Sequence, residues 1–278
     1  MKQSLLKHIV ALLLCVCAAF KGMAQDRTVS ENLFYNSQLR FSFSPVLYDN
    51  LEFENIGAKY LKSRLSFSAE IGVSYYQHIK NGYGINIGIG LGLAPFNLNY
   101  YFKPSENSIF RTGIYKYDYE YLDLIEYEYV NSFRVFPVSV QKIFPTKDKN
   151  LLFSIDLGIK LNSLYSYPYE ISGGASYYID EVNTDVSLFE FYIKDTRRKH
   201  LISYFIKFGL VKLNSKQNTL HFSLVANYSP NKIGEGWYRF NNLTYDSYGT
   251  VKQNINYIGL ELTRGLTLSK RLKQKIKK

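Results

Sequence analysis

Residues 82–93 read Gly-Tyr-Gly-Ile-Asn-Ile-Gly-Ile-Gly-Leu-Gly-Leu. Every odd position from Tyr83 to Leu93 carries a large apolar side chain, and every even position carries Gly or Asn. Successive side chains of a β-strand point to opposite faces, so one face is an apolar ridge and the other is almost bare. A membrane barrel strand needs this asymmetry, because lipid lies outside it and a crowded polar lumen lies inside. A soluble sandwich strand can alternate too, but seldom needs glycines along one whole face.

A similar alternation of apolar and polar residues marks other segments of the chain. Together they predict ten strands, at about 38–47, 64–79, 82–93, 96–102, 108–121, 131–144, 150–165, 199–213, 218–229 and 251–268. Ala94-Pro95 separates the third from the fourth, because proline cannot donate a hydrogen bond within a sheet; one long bent strand is the competing interpretation. The sequence therefore predicts an all-β, antiparallel, up-and-down transmembrane β-barrel of about ten strands, within a range of eight to twelve.

The connections between the predicted strands alternate in length. Short turns are predicted at 80–82, 103–107, 145–149 and 214–217, and longer segments at 48–63, 122–130, 166–198 and 230–250. In the first turn, Asn81-Gly82 supplies the positive φ angles that a tight hairpin needs. Outer-membrane barrels have short periplasmic turns and longer external loops, so we expect the short turns in the periplasm and the longer segments outside the cell.

The first 24 residues have the character of a secretory signal peptide. A basic start precedes a short apolar run at 9–20, and small residues allow cleavage near Ala24. A lipoprotein signal is the alternative, because Cys15 and Cys17 lie in this segment. We expect the mature protein in the outer membrane of a Gram-negative bacterium. The chain then divides into a signal peptide (1–24), a polar lead-in (25–37), an outer-membrane barrel (38–268) and a basic periplasmic tail (269–278).

Composition excludes several classes of function. Both cysteines lie in the predicted signal peptide, so the mature chain has neither a disulfide nor a cysteine metal site. The formal net charge is +11, but residues 270–278 hold six of the positive charges and the signal peptide holds three, which leaves a nearly neutral body. A nucleic-acid partner is therefore not expected. No phosphate-binding or metal-binding motif is present, and we expect no cofactor and no metal.

Seven ionisable residues fall on the predicted inner faces of the strands. They are Arg40, Glu70, Asp156, Lys160, Lys207, His221 and Glu261. They form either a lumen site or narrow polar conduit, or a set of opposite charges that pair and fill a small barrel. We favour the second interpretation, because a barrel of eight to ten strands has little open lumen and buried charges must be paired. Arg40 and Glu261 are expected to be neighbours when the first and last strands meet.

An acyl hydrolase is the alternative function. His221 and Ser223 lie two residues apart and so share one strand face, where the histidine would serve as general base for the serine. The pair is a weak signal on its own, and we predict that the protein is not an enzyme.

The chain resembles the small outer-membrane β-barrel proteins of Bacteroidetes-type bacteria (outer membrane protein beta-barrel domain). The likeness lies in the signal ending Gly22-Met23-Ala24-Gln25, the glycine-rich strand at 82–93, and the proline-led strands that begin Pro95-Phe96-Asn97-Leu98 and Phe136-Pro137-Val138-Ser139. It covers most of residues 38–268. The resemblance implies an outer-membrane barrel with a transport, adhesion or envelope-integrity role.

The predicted function is that of a non-enzymatic outer-membrane barrel with a structural, binding or narrow-pore role. The Tyr-rich segments 166–198 and 230–250 are the expected contact surface, since Tyr combines a stacking face with a hydrogen-bonding hydroxyl. The contact candidates are Tyr177, Tyr178, Trp237 and Tyr238. The expected partners are outer-membrane lipid and an extracellular carbohydrate or protein, and we expect a monomer.

Overall fold

The computed structural model describes residues 37–48, 51–55, 61–63, 65–102, 122–146, 150–165, 170–179, 184–196, 200–213, 218–241 and 247–268. These residues form the strands β1 (Gln38–Tyr48), β2 (Leu51–Glu54), β3 (Leu61–Ser63), β4 (Ser66–Lys80), β5 (Tyr83–Phe102), β6 (Leu122–Pro145), β7 (Leu151–Leu164), β8 (Glu170–Ile179), β9 (Thr184–Asp195), β10 (His200–Leu213), β11 (Thr219–Tyr228), β12 (Gly234–Phe240), β13 (Ser247–Gln253) and β14 (Tyr257–Thr267). None of them belongs to a helix long and apolar enough to cross a membrane. The predicted signal peptide and basic tail lie outside the described residues.

Eight of these strands form a closed antiparallel barrel in which successive barrel strands pair with each other and the last pairs with the first. They are β1, β4, β5, β6, β7, β10, β11 and β14. Pairing of β5 with β6, and of β1 with β14, completes the circle. A bilayer offers no water to unpaired backbone groups, so a sheet can span it only when closed in this way. The predicted all-β, antiparallel, up-and-down barrel is confirmed.

The described part of the chain contains eight barrel strands rather than the ten first expected, which is the lower end of the predicted range. Ala94-Pro95 does not end a strand: β5 runs through it, with Pro95 opposite Val130 of β6. The competing interpretation, one long strand, is therefore correct. The strand predicted over 108–121 lies outside the described residues.

The two ends of the barrel differ in the length of their connections. At one end, the short-turn end, β4 joins β5 through Asn81 and Gly82, whose φ angles of 52° and 76° are those predicted for a tight hairpin. The connections from β6 to β7 and from β10 to β11 lie at the same end. The longer connections lie at the other, the long-loop end. The segment 122–130 is not the predicted loop but the start of β6, and the turn predicted at 103–107 lies outside the described residues.

The predicted long loops contain a second sheet, which we call the distal sheet. Its five strands follow the order β2-β13-β12-β9-β8, which repeats the order β1-β14-β11-β10-β7 of the barrel strands that precede or follow them in the chain. One side of the barrel wall thus continues beyond the barrel as an open sheet. The single strand predicted over 251–268 is divided between the two sheets: β13 belongs to the distal sheet and β14 to the barrel.

The outer face of the barrel is apolar, as the ridge in residues 82–93 predicts. The six large side chains of this ridge are between 37% and 54% exposed: Tyr83, Ile85, Ile87, Ile89, Leu91 and Leu93. The outer faces of β4, β7, β10, β11 and β14 also expose Leu, Ile, Val and Phe side chains. A continuous apolar surface of this kind is unfavourable in water, and lipid is the solvent that it fits.

The bare inner face of the same ridge makes room for two large rings inside the barrel. A Cβ at Gly84 would overlap the Tyr76 ring, and a Cβ at Gly92 would lie 2.6 Å from the Phe133 ring. Both rings are buried, at 3% and 1% exposure. The glycines that make β5 recognisable in the sequence are therefore required by the packing of the lumen.

Candidate functional site

The structure places all seven predicted inner-face residues inside the barrel. They are Arg40, Glu70, Asp156, Lys160, Lys207, His221 and Glu261, and together they line one interior cavity of about 50 Å³. Their side chains are buried or nearly so. Three cations and three carboxylates balance one another at this level of the lumen.

One ion pair joins β4 to β7 across the lumen. The Nζ atom of Lys160 lies 2.6 Å from Oε2 of Glu70. The hydroxyl of Tyr257 donates to the same carboxylate oxygen at 2.8 Å and also accepts a hydrogen bond from Lys160. Three strands are therefore tied together by one buried carboxylate. A buried charge is tolerated when it is paired and hydrogen-bonded in this way.

A second ion pair joins β10 to β14. The Nζ atom of Lys207 lies 2.8 Å and 2.7 Å from the two carboxylate oxygens of Glu261. The hydroxyls of Ser44 and Thr263 donate to Glu261 as well, each at 3.2 Å. The carboxylate thus receives hydrogen bonds from side chains of three strands, β1, β10 and β14.

Arg40 and Glu261 lie on paired strands, as expected, but Arg40 lies opposite Gly265, four residues along β14 from Glu261. Its guanidinium instead donates to the side-chain oxygens of Gln38 at 3.2 Å and Gln141 at 3.0 Å. It also stacks over the Tyr76 ring, 3.7 Å from the ring centre. The space left by Gly84 therefore provides Arg40 with an aromatic partner.

Asp156 and His221 complete the interior set. Asp156 is 4% exposed, and one of its carboxylate oxygens has no hydrogen-bond partner among the described residues. The Nε2 atom of His221 lies 2.9 Å from the hydroxyl oxygen of Thr219. A cavity of about 50 Å³ has room for about one or two water molecules, which is enough to hydrate Asp156.

Two apolar clusters lie on either side of the charged layer. Towards the short-turn end, the buried side chains are Tyr76, Ile143, Leu152, Val211 and Leu213. Towards the long-loop end, they include Val46, Tyr48, Ala94, Phe133, Leu164, Leu201, Ile233 and Ile255. The charged layer therefore lies between two clusters of buried apolar side chains in the described part of the barrel.

The alternative catalytic pair lies within this charged layer. His221 and Ser223 share the inner face of β11, as predicted, and are 3% and 5% exposed. The hydrogen-bond partner of the His221 ring, within the described residues, is Thr219 rather than Ser223. Acyl transfer from this pair would require the substrate to enter the packed interior.

The distal sheet offers a second candidate site, and its outward face is organised in rows across the strands. The row nearest the barrel, which we call the charged row, alternates in sign: Glu52, Lys252, Glu235, Lys194 and Glu170 lie opposite one another on successive strands. One row further out are Glu54, Thr250, Trp237, Tyr192 and Ser172. Opposite charges on neighbouring strands stabilise the sheet and its register.

One edge of the distal sheet is held by Glu54 of β2. Its carboxylate accepts two hydrogen bonds from Lys252, both at 2.9 Å, and one from Thr250 at 3.1 Å. These hydrogen bonds, Lys252 first, hold the pKa of Glu54 below its ordinary value. The backbone oxygen of Glu54 also accepts a hydrogen bond from the Tyr238 hydroxyl at 2.7 Å.

The four predicted contact candidates have different environments. Trp237 is 46% exposed on the outward face. Tyr238 is 1% exposed on the inward face, so the prediction that it contacts a partner is wrong; it packs against Phe53 and Phe240, and burial raises its pKa to about 12. The backbones of Tyr177 and Tyr178 lie in β8, opposite β9, and their side chains lie outside the described part of the structure.

Sequence reasoning missed Tyr192, whose ring stacks beside Trp237. The ring centres are 6.3 Å apart, and the planes are inclined by 28°. A signal was present: Phe189, Phe191 and Ile193 alternate with Glu190, Tyr192 and Lys194, which is the pattern of a strand. The polar character of the whole segment 166–198 concealed this alternation.

Among the described residues, no group of three or more His, Cys, Asp or Glu side chains is placed to hold a metal ion.

No protein-family model matches the chain, and no curated protein matches it. Similar solved structures are outer-membrane proteins. One is a major outer membrane protein of Thermus thermophilus, with 9% identity, a TM-score of 0.37, and coverage of 84% of this chain and 99% of that one. Another is Ail, the attachment invasion locus protein of Yersinia pestis, solved with the heparin analogue sucrose octasulfate: 11% identity, TM-score 0.29, coverage 82% and 97%.

A third is the outer membrane protease OmpT of Escherichia coli, with 11% identity, a TM-score of 0.34, and coverage of 84% and 97%. These three proteins have different roles, and at these TM-scores none of the likenesses bears on what this chain binds or does. The likeness to the Bacteroidetes-type barrel family likewise stays a resemblance.

Breaking the buried pair between Glu70 and Lys160 is expected to destabilise the barrel. Glu70→Gln leaves the Lys160 ammonium buried without its carboxylate, at a cost of about 3–5 kcal/mol in the free energy of unfolding. Urea unfolding in lipid vesicles, followed by the gel mobility of unheated samples, measures the change. The double variant Glu70→Gln/Lys160→Met should cost less than the sum of the single variants.

The exposed pair of Glu54 and Lys252 provides the matched control. Lys252→Met should change barrel stability little, because an exposed ion pair contributes little. An unchanged free energy of unfolding for Glu70→Gln would contradict the role given to the buried pair.

The contact of Glu54 with Lys252 should weaken in acid. The pKa of Glu54 is lowered in the folded protein, so the contact contributes stability above the ordinary pKa of Glu, and this contribution is lost as the pH falls through the lowered pKa. NMR titration of the β2 backbone amides from pH 7 to pH 3 should show a transition below the ordinary value. Glu54→Gln should abolish it, whereas a midpoint at or above that value would argue against the contact.

Proposed function

We propose that this protein is an outer-membrane binding protein, in which the closed barrel is the anchor and the distal sheet is the contact surface. The observation that carries the proposal is the continuation of the barrel wall into five further strands, whose outward face exposes aromatic and polar side chains. The short-turn end then faces the periplasm and the long-loop end faces the outside of the cell, as in outer-membrane barrels generally.

The packed lumen argues against the narrow-pore role. A solute crossing the barrel would have to displace both apolar clusters and separate the ion pairs between them. The cavity at the level of the ion pairs has a volume of only about 50 Å³. Small barrels of eight strands are commonly filled by their own side chains, which stiffen the wall. The charged layer therefore has a structural role in this proposal.

The distal sheet has the features of a surface that meets a ligand in water. Trp237 and Tyr248 are 46% and 64% exposed on strands held in place by neighbours on both sides. Rigid, exposed aromatic side chains beside hydrogen-bonding groups are characteristic of binding surfaces, because they provide contact area at a low cost in conformational entropy. The inward face of the sheet, in contrast, is buried and aromatic.

The acyl-hydrolase alternative has less support. His221 and Ser223 lie in the charged layer, and the histidine ring contacts Thr219. A hydrolase acting on lipid would need this pair at the lipid-facing surface or at an open end of the barrel.

Removal of the distal sheet should abolish binding and leave the barrel intact. In the trimmed variant, short Gly-Ser connectors replace 51–54, 170–195 and 234–253, so that all five strands of the distal sheet are removed. The full chain, purified in vesicles, is screened against immobilised polysaccharides and surface proteins, and the trimmed variant should lose whatever binding the full chain shows. Outer-membrane fractionation and the faster gel mobility of unheated protein serve as the control for folding. Equal binding by both proteins, or none by the full chain, would contradict the proposal.

The full-length barrel should also be electrically silent. Because the lumen is packed on both sides of the charged layer, we expect no steady single-channel conductance in planar bilayers. The trimmed variant should be silent too, since the packing lies within the barrel. Reproducible conductance steps that vanish when lumen residues are substituted would favour the pore role instead.

A further inference from the structure

The outward face of the distal sheet carries two stacked rings, which we call the aromatic ledge. Trp237 of β12 and Tyr192 of β9 lie directly opposite each other in the ladder. Their ring centres are 6.3 Å apart and their planes are inclined by only 28°, so that the two rings form one nearly continuous surface. Trp237 is 46% exposed, and it is the only tryptophan of the chain.

The ledge does not lie where an aromatic girdle would. Girdle residues contact the lipid interface next to the apolar belt of the barrel. Here the charged row comes between, because every residue of that row lies on the barrel side of the ledge. Two residues along a strand span about 6.6 Å, so the ledge stands one full row beyond five ionised side chains. Its rings are therefore separated from the apolar belt by a row of charged side chains.

The groups around the ledge are hydrogen-bonding and electrically balanced. The Tyr192 hydroxyl donates to Glu170 at 2.9 Å, and the Thr250 hydroxyl donates to Glu54 at 3.1 Å. Among the described outward side chains and the adjoining Lys232, five carboxylates (Glu52, Glu54, Glu170, Glu190, Glu235) meet four cations (Lys194, Lys232, Lys252, Arg239). Several of these charges are already paired within the sheet.

We propose that the aromatic ledge is a subsite for a neutral saccharide, in which Trp237 stacks against the apolar face of a pyranose ring. A sugar ring presents C–H groups on its faces and hydroxyls around its edge. The ledge offers the complementary arrangement: flat rings in the centre, with carboxylates and hydroxyls beside them. This inference rests on the proposed binding role of the distal sheet and specifies its ligand.

The charge of the face separates a neutral from an acidic glycan. A sulfated or uronic-acid polymer needs a cluster of unpaired cations, whereas the described face has one more carboxylate than cations. A protein partner would need about 800 Å² of contact on each side, and the ledge itself is two rings between charged rows. The neutral saccharide is therefore the ligand that best fits the ledge.

The single tryptophan makes the test direct. The full chain is reconstituted in phosphatidylcholine vesicles, because detergents with sugar headgroups would compete for the site. Hexasaccharides of glucose and of N-acetylglucosamine are titrated, and at least one should give a saturable change in tryptophan fluorescence. Dextran sulfate at the same concentration should give none.

Variants assign the response to the ledge. Trp237→Ala should weaken binding at least about tenfold by calorimetry, since truncation of a central aromatic contact removes much of the binding energy. Trp237→Phe should retain more affinity because it keeps a stacking face, and Tyr192→Ala should weaken binding while keeping the fluorescent reporter. Tyr204→Ala removes an exposed ring from the outer face of barrel strand β10, outside the distal sheet, and is the control. Gel mobility of unheated samples verifies that each variant is folded.

The outcomes separate this inference from the function that it specifies. Unchanged saccharide affinity in Trp237→Ala, or no saturable response to either hexasaccharide, would overturn the subsite. If the full chain still binds another polysaccharide or a protein and the trimmed variant does not, the binding role of the distal sheet survives and only the saccharide assignment fails. If trimming has no effect on binding, both fail together.

Discussion

The unbroken ring of backbone hydrogen bonds from β1 round to β14 closes the barrel, and the interior arrangement follows from that closure. Eight strands give a narrow circle, so inward side chains from opposite walls meet at the axis. Gly84 and Gly92 lie where the rings of Tyr76 and Phe133 need space. Charged residues at this level have to pair, because little water is available to solvate them. The filled lumen, the paired charges and the positions of the inner-face glycines are thus consequences of closing a narrow barrel.

The same wall also determines where function can lie. A packed interior leaves the barrel with an outer surface for lipid and two ends. At the long-loop end, five strands extend past the barrel and keep its strand order, so the distal sheet is positioned by the wall that anchors it. Its outward face then carries the accessible chemistry: a charged row next to the barrel and the pair of Trp237 and Tyr192 beyond it. The barrel wall thus serves as the anchor, and the distal sheet that continues it is the surface available for recognition.

The fold could be predicted from the sequence because lipid imposes a strict pattern on the strands. The alternation in residues 82–93 has a physical cause on each face, and so the strand and its outward side were recognisable. The inner-face positions of the seven ionisable residues followed from the same alternation. Their partners did not: whether Glu261 meets Arg40 or Lys207 depends on side-chain reach across the lumen, and alternation carries no information on that.

The distal sheet was hidden for a different reason. Its outward face meets water rather than lipid, so polar residues such as Glu190 and Lys194 dilute the apolar alternation on which strand recognition depends. Tyr238 shows most clearly why side-chain directions in this sheet could not be predicted from the sequence. A tyrosine next to an exposed tryptophan in a strand must point the other way, but this inference requires knowing first that the segment is a strand. Pro95 misled the prediction in the opposite direction, because it is accommodated within β5.

The meeting of β1 with β14 has a consequence for how the protein assembles. The other barrel ladders join strands that follow one another in the chain, whereas this one joins Gln38 to Thr267. Bringing these two strands together costs more loop-closure entropy than forming any hairpin. This ladder is therefore expected to form after the hairpins. The topology implies that the hairpins form first and that the β1–β14 ladder, the seam of the barrel, forms afterwards. In the distal sheet β2 joins β13 directly above that seam, and at the short-turn end the backbone of Ser37 bonds to Leu268. The β1–β14 ladder is therefore held at both ends by backbone hydrogen bonds outside the ladder itself.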